Sequence, residues 1–176
     1  GLVVRARKGY YDPGGAAAAA TGAAADPKLR EQSDPALQRA LDSPSLMAAV
    51  PLRLSAYVLG SALEGKAQVV MAADADVSKI AFGEGAGNTV LDTLLVVAAQ
   101  DGGAERADRK VELERRATPP REGPVWYSFV RDFALSAGRY LAKLVVRDVA
   151  AGRIGTVALT FEVPALDQLR LSTPIL

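Results

Sequence analysis

Hydrophobic and polar residues alternate over residues 138–164, and this is the clearest pattern in the chain. One set of alternating positions is apolar or aromatic: Tyr140, Ala142, Leu144 and Val146. The other set carries Arg139, Lys143 and Arg147, with Leu141 and Val145 between them. After a turn at 149–153, the apolar positions are Val157, Leu159, Phe161 and Val163. A period of two residues is typical of strands with one buried face, so the segment predicts a β-hairpin.

Similar segments, separated by Gly, Pro and Asp residues, extend back to Pro51. They predict seven strands at 52–59, 66–73, 92–100, 107–115, 125–135, 138–148 and 154–163. Residues 94–99 are apolar on both faces, which indicates a central strand or one covered on its outer side. The fold class predicted is all-β, a seven-stranded immunoglobulin- or fibronectin-III-like β-sandwich with a short N-terminal helix and a linker.

The N-terminal third of the chain differs in composition. Residues 1–11 are strand-like, and we expect them to belong to a longer protein of which this chain is a fragment. Residues 12–32 are rich in Ala, Gly and Pro, which predicts a linker. Ser33-Asp34-Pro35 combines a capping side chain with a proline at the first helical position, so a short helix is expected at 34–43. The β-sandwich domain would then span 33–176.

Composition excludes several kinds of chemistry. The 176 residues include no His and no Cys, which removes Ser-His-Asp catalysis, thiol nucleophiles and the usual zinc sites. The net charge of +1 favours neither nucleic acid nor an anionic membrane as a partner. No apolar run approaches the roughly 20 residues that a membrane helix needs. We therefore expect no enzyme, no cofactor, no nucleic-acid partner and no membrane insertion.

Two acidic residues form the first candidate site. Asp74 and Asp76 could offer carboxylate oxygens to calcium, which requires several oxygen ligands. The plainer interpretation is a strand end with carboxylates in a turn, because two acids at this spacing fall far short of a calcium-binding loop.

A glycine-rich segment forms the second candidate site. Residues 83–88 include Glu84 and Asn88. No Gly-Lys-Ser/Thr follows, and the next segment reads as a strand, so a phosphate-binding loop is disfavoured. A loop between strands that presents a partner-specific surface is the preferred interpretation.

Aromatic residues form the third candidate site. Trp126, Tyr127 and Tyr57 could stack on a sugar ring, or they could pack inside the protein. Tyr127 shares its alternation with Phe129 and Phe133, which predicts a core position. Trp126 has the opposite alternation, so it is the better candidate for an exposed platform.

Several phrases carry a family resemblance. Residues 3–11 read Val-Val-Arg-Ala-Arg-Lys-Gly-Tyr-Tyr, residues 51–54 read Pro-Leu-Arg-Leu, and residues 138–140 read Gly-Arg-Tyr. The set also includes residues 147–155, which read Arg-Asp-Val-Ala-Ala-Gly-Arg-Ile-Gly, and the closing Val163-Pro164. Together they resemble the C-terminal region of the von Willebrand factor A-related domain proteins common in Acidobacteria. The Asp-x-Ser-x-Ser phrase of a metal-ion-dependent adhesion site is absent, so the resemblance transfers no metal ligand.

The resemblance implies that residues 1–11 are the terminal strand of an upstream von Willebrand A-type domain. The β-sandwich would then be a module that lies beyond this domain, in an extracellular or periplasmic protein. Because the chain has no His and no Cys, this resemblance leads us to expect a non-catalytic accessory module for protein interaction, adhesion or spacing. Its partner would be another protein or another domain of the same chain. The residues leave two alternatives open: a carbohydrate- or calcium-binding β-sandwich module, and a hydrolytic domain that uses acidic residues alone.

Overall fold

A computed structural model describes residues 34–61, 65–78, 80, 88–114 and 123–165. The strand expected at 1–11, the linker expected at 12–32 and the candidate residue Glu84 lie outside the described residues. Seven strands and one helix run through the described part of the chain. They are α1 (Pro35–Asp42), β1 (Leu52–Ser61), β2 (Ala67–Asp76), β3 (Asn88–Ala99), β4 (Ala104–Glu114), β5 (Trp126–Leu135), β6 (Gly138–Asp148) and β7 (Arg153–Val163).

The strands form two antiparallel sheets that pack face to face. One sheet has the order β1-β2-β5, and the other has the order β4-β3-β6-β7. This confirms the predicted β-sandwich with a short leading helix. Each predicted strand overlaps an observed one. However, β2 continues to Asp76 and β3 already begins at Asn88.

The core between the sheets contains the residues that the alternation assigned to the buried face. On β6 it takes Tyr140, Ala142, Leu144 and Val146, all of them less than 9 % exposed. On β2 it takes every second residue from Ala67 to Ala75. Burial of this continuous apolar surface is the main term that stabilises the fold.

The outer face of the four-stranded sheet is covered by α1. Leu37 and Ala40 of the helix pack on Leu94, Val96 and Val145. These contacts form a second apolar cluster, separate from the core between the sheets. The prediction for residues 94–99 is confirmed in both of its forms, because β3 is central in its sheet and is also covered outside.

Both ends of α1 are held by basic side chains of β6. At the N-terminal end, Asp34 caps the helix by accepting from the Ala36 N–H at 2.8 Å, and its Oδ2 lies 2.6 Å from Nη1 of Arg147. At the C-terminal end, Nζ of Lys143 donates to the carbonyl oxygens of Leu41 and Ser43, both at 2.6 Å. The two lengths agree. An eight-residue helix is about 12 Å long, and Lys143 and Arg147, four residues apart on β6, are separated by about 13 Å.

The polar face predicted for β6 is therefore only partly solvent-exposed. Arg139 is exposed, but Lys143 is 7 % exposed because it lies beneath the helix. Last-turn carbonyls have no partner within a helix, and a buried ammonium satisfies them and complements the helix dipole.

Candidate functional site at one end of the sandwich

Three of the six connections between the seven strands, including the two longest in sequence at 77–87 and 115–125, join strand ends at one end of the sandwich, which we call the loop end. At this end β2, β4 and β6 finish and β3, β5 and β7 begin, as shown by the register pairs Asp76–Trp126, Asn88–Glu114 and Asp148–Arg153. The predicted site residues Asp74, Asp76, Asn88 and Trp126 all lie on strands at or beside this end. Glu84 belongs to the connection between β2 and β3 in the sequence. Three separate sequence candidates thus belong to one region of the fold.

Asp74 and Asp76 share the outer face of β2, and each has a local hydrogen-bonding role. Oδ1 of Asp76 accepts from the backbone N–H of Ser78 at 2.9 Å and from that of Val125 at 3.1 Å. It therefore ties the exit of β2 to the entry of β5. Oδ1 of Asp74 accepts from the hydroxyl of Ser128 on β5. These contacts match the strand-end part of the plainer interpretation, but both residues lie on β2 itself and not in a turn.

Trp126 lies on the outer face of the three-stranded sheet, as its alternation predicts, and is half-buried. The guanidinium carbon of Arg53 lies 3.8 Å from the centroid of its ring. Arg53 extends from β1 across β2 to reach it, and this distance is well within the range of a cation–π contact. One face of the indole that a sugar could use is therefore already occupied by a side chain of the same sheet.

The two tyrosines weighed with Trp126 occupy different environments. Tyr127 packs against the core, which confirms its prediction. Tyr57 is half-buried in β1, and its register partner on β2 is Val70, whereas Trp126 pairs with Asp76. Six residues of strand therefore separate Tyr57 and Trp126 along the sheet, or about 20 Å. The two rings cannot stack on one sugar residue together.

The turn between β6 and β7 is fixed by a buried carboxylate that the alternation pattern did not single out. Asp148 is fully buried, and its Oδ2 lies 3.1 Å from Nη2 of Arg153. Its Oδ1 accepts from the Ala151 N–H at 3.3 Å. The Asp148 side chain thereby binds both the interior and the far end of the turn. These contacts limit the conformational freedom of the turn.

Two large apolar side chains among the described residues are exposed at the loop end. Val125, before β5, is 44 % exposed, and Val149, in the β6–β7 turn, is 40 % exposed. Sequence reasoning missed both residues. A signal was present for Val149, because an apolar residue at the tip of a short hairpin turn has no core to enter.

Other features of the described residues give no chemical site. Among them, no three His, Cys, Asp or Glu side chains lie close enough together to hold a metal ion. No helix in the described ranges is long and apolar enough to cross a membrane. A cavity of about 290 Å³ opens at the opposite end of the sandwich, with Lys66, Leu135 and Tyr140 in its lining. None of the predicted site residues lines it.

Comparison with known proteins adds no family. No protein-family model matches the chain, and no curated protein matches it. Among solved structures, the chain is similar to a β-glucuronidase of Bacteroides uniformis, with 10% identity and a TM-score of 0.41 over 63% of this chain. The match covers 13% of that enzyme chain. A structural genomics target of the Northeast Structural Genomics Consortium matches with 12% identity and a TM-score of 0.40, over 74% of this chain and 98% of its own.

Proposed function

We propose that this chain is a non-catalytic, immunoglobulin- or fibronectin-III-like β-sandwich module that contacts another protein or another domain through its loop end. We further propose that it adjoins a von Willebrand A-type domain in an exported protein, as the sequence resemblance implies. The module supplies a rigid platform, and the connections at the loop end supply the contact.

Strand order supports the immunoglobulin-like part of the proposal. In constant-type immunoglobulin domains, strands A, B and E share one sheet and strands C, F and G share the other. Assigning β1, β2 and β5 to the first set and β3, β6 and β7 to the second reproduces this division. The remaining strand, β4, lies beside β3, where variable-type domains add a strand.

A tyrosine hydrogen bond supports the same assignment. Tyr140 lies near the start of β6, and its hydroxyl donates to the Ser136 carbonyl oxygen, four residues upstream, at 2.8 Å. Many immunoglobulin-like domains have a tyrosine corner at the start of strand F with this type of bond to the preceding backbone. The bond stabilises the turn at which the chain passes from one sheet to the other.

The exposed apolar residues of the loop end carry the functional part of the proposal. Val149 lies on a turn that Asp148 and Arg153 fix, and Val125 is held next to Asp76 by its backbone hydrogen bond. Exposed apolar groups on a rigid backbone lose little conformational entropy on binding, which is what favours an interface. Binding residues of sandwich folds are concentrated on such connections because the scaffold positions them.

The first test starts from the natural gene and any sequence that it encodes before this chain. We expect a von Willebrand A-type domain there, and we expect it to bind this chain when the two are expressed separately and studied by calorimetry. Val149→Lys should weaken binding at least fivefold, whereas Val130→Lys should not, because Val130 is 50 % exposed on β5 away from the loop end. Absence of the domain, or equal effects of both substitutions, would contradict the proposal.

A second test addresses the carbohydrate- or calcium-binding alternative. Thermal unfolding of the chain is followed with calcium and with a panel of glycans. The engaged carboxylates of Asp74 and Asp76 and the covered ring of Trp126 lead us to expect no shift of the melting temperature. A saturable shift that Asp76→Asn or Trp126→Ala abolishes would favour the alternative instead.

A further inference from the structure

We propose that residues 34–48 form a strap that opens as a unit while the sandwich remains folded. The strap consists of α1 and residues 43–48, which follow it. It lies on the outer face of the four-stranded sheet and then runs along the edge of β7. Its apolar contacts with the sandwich are separate from the main core, and the remaining contacts are polar.

The apolar contacts of the strap belong to their own cluster. Leu37, Ala40, Leu41 and Met47 pack with residues of the outer sheet face. The core between the sheets begins in the sequence at Val50, which is outside the strap. Opening of the strap would therefore break the smaller cluster and leave the larger one intact. Proteins open locally where a segment contributes few contacts to the cooperative core.

The described polar contacts of the strap involve three residues of the sandwich: Arg147, Lys143 and Thr156. Asp34 pairs with Arg147, and Lys143 holds the carbonyl oxygens of Leu41 and Ser43. Two hydrogen bonds join the end of the strap to β7: the Met47 N–H donates to the Thr156 hydroxyl oxygen at 2.7 Å, and the Thr156 N–H donates to the Met47 carbonyl at 2.8 Å.

Detached from these contacts, the helix would not persist. A helix of eight residues is far below the length at which isolated helices are stable in water, about 12–15 residues. Its formation and its docking are therefore coupled, which makes opening an all-or-none event for the segment. The open form would present the apolar residues Leu94, Val96 and Val145 and the unpaired backbone of Thr156 at the β7 edge.

The strap lies between the sandwich and the residues that precede it in the chain. Residues 1–33 enter the strap at Asp34, so a pull on them would act first on the Asp34–Arg147 pair. That pair is partly exposed, with 34% and 19% of the two side chains accessible, so salt also weakens it. The strap is thus a conformational device that a preceding domain or partner can open.

Amide hydrogen exchange measured by NMR on the full 176-residue chain tests the proposal. In the wild type, the strap amides, represented by Gln38 and Ser43, should exchange at least tenfold faster than those in the middle of β6, such as Leu144. The Thr156 amide of β7 donates to Met47 of the strap, so it should exchange at the strap rate. Arg147→Met should accelerate the strap amides at least fivefold further without changing the β6 amides. Arg139→Met, at an exposed residue of the same strand, should change neither group.

Two results would overturn the proposal. Strap amides that exchange at the same rate as the β6 amides would show that both belong to one cooperative unit. An equal acceleration of both groups by Arg147→Met would show the same. If that variant does not fold, raising the salt concentration on the wild-type chain gives the same comparison, since it should accelerate exchange of the strap amides alone.

Discussion

Gly155 and the carbonyl group of Val50 are in direct backbone contact. A Cβ atom placed on Gly155 would lie 2.9 Å from the Val50 carbonyl carbon and closer still to its oxygen. The contact occurs where the chain passes along the edge of β7, beside the bridge between Ala48 and Gly155, before it enters β1. Glycine in a strand permits this close approach of a second backbone.

Gly155→Ala should therefore destabilise the protein. The methyl group would force the backbone at Val50 away from β7, and overpacking of this kind costs about 1–3 kcal/mol. The free energy of unfolding from urea titration measures the loss. Gly152→Asn is the matched control, because Gly152 has open space around it and a φ of +66° that asparagine tolerates. A loss no larger for Gly155→Ala than for Gly152→Asn would contradict the contact.

Lys143→Met should also reduce the free energy of unfolding, by about 2 kcal/mol. Lys143 is buried, and its ammonium is the hydrogen-bond partner of two carbonyl oxygens at the end of α1. Hydrogen bonds to charged groups contribute about 1.5–3 kcal/mol, and removing the donor leaves those carbonyls without it. Arg139→Met changes a basic residue on the same face of β6 that is exposed, so it should stay within about 0.5 kcal/mol of the wild type.

The pH dependence of stability should carry a contribution from Lys143. Burial lowers the pKa of its ammonium below the ordinary lysine value, and the nearby carboxylate of Asp42 opposes this only in part. Between the lowered pKa and about 10.4, the unfolded chain binds more protons at this residue than the folded one. The free energy of unfolding therefore gains a positive slope with pH in that window.

Urea titrations at a series of alkaline pH values check the sign. The wild type and Arg139→Met should share the same slope, whereas Lys143→Met should lose the positive contribution. A slope for Lys143→Met that equals or exceeds the wild-type slope would show that the folded protein does not disfavour the charged ammonium.

Alternation of apolar and polar residues was sufficient to predict the sandwich. On β2, β5 and β6, alternate residues enter the core, so the two-residue period seen in the sequence is also present in the structure. The errors fall at strand ends with polar residues. Asp74 and Asp76 suggested a turn, but they lie on the outer face of β2 while Ala75 between them is fully buried. A period-2 pattern of small and acidic residues is a strand signal when the small residues face a core.

Contacts that depend on register could not be predicted in the same way. Arg53 and Trp126 meet because β1 and β5 both pair with β2, and no local pattern encodes that pairing. Lys143 was assigned correctly to the outer face of β6, yet the pattern could not show that a helix end would cover it. A polar residue on the outer face of a strand can be exposed to solvent or can bind the end of a helix that covers it. The alternation in the sequence is the same in the two cases.

Tyr140→Phe tests the turn between β5 and β6. The substitution keeps the ring, which is 7 % exposed and stacks on Phe161 with centroids 5.5 Å apart, and it removes only the hydroxyl that donates to Ser136. Loss of this hydrogen bond should lower the free energy of unfolding by about 1–2 kcal/mol, because the carbonyl loses its donor in a partly buried position. Tyr57→Phe, on the outer face of β1, removes a hydroxyl with no such role and should change stability by less than about 0.5 kcal/mol. Equal effects of the two substitutions in urea titration would mean that the Tyr140 hydroxyl does not stabilise the turn, and the support it gives to an immunoglobulin-like assignment would be lost.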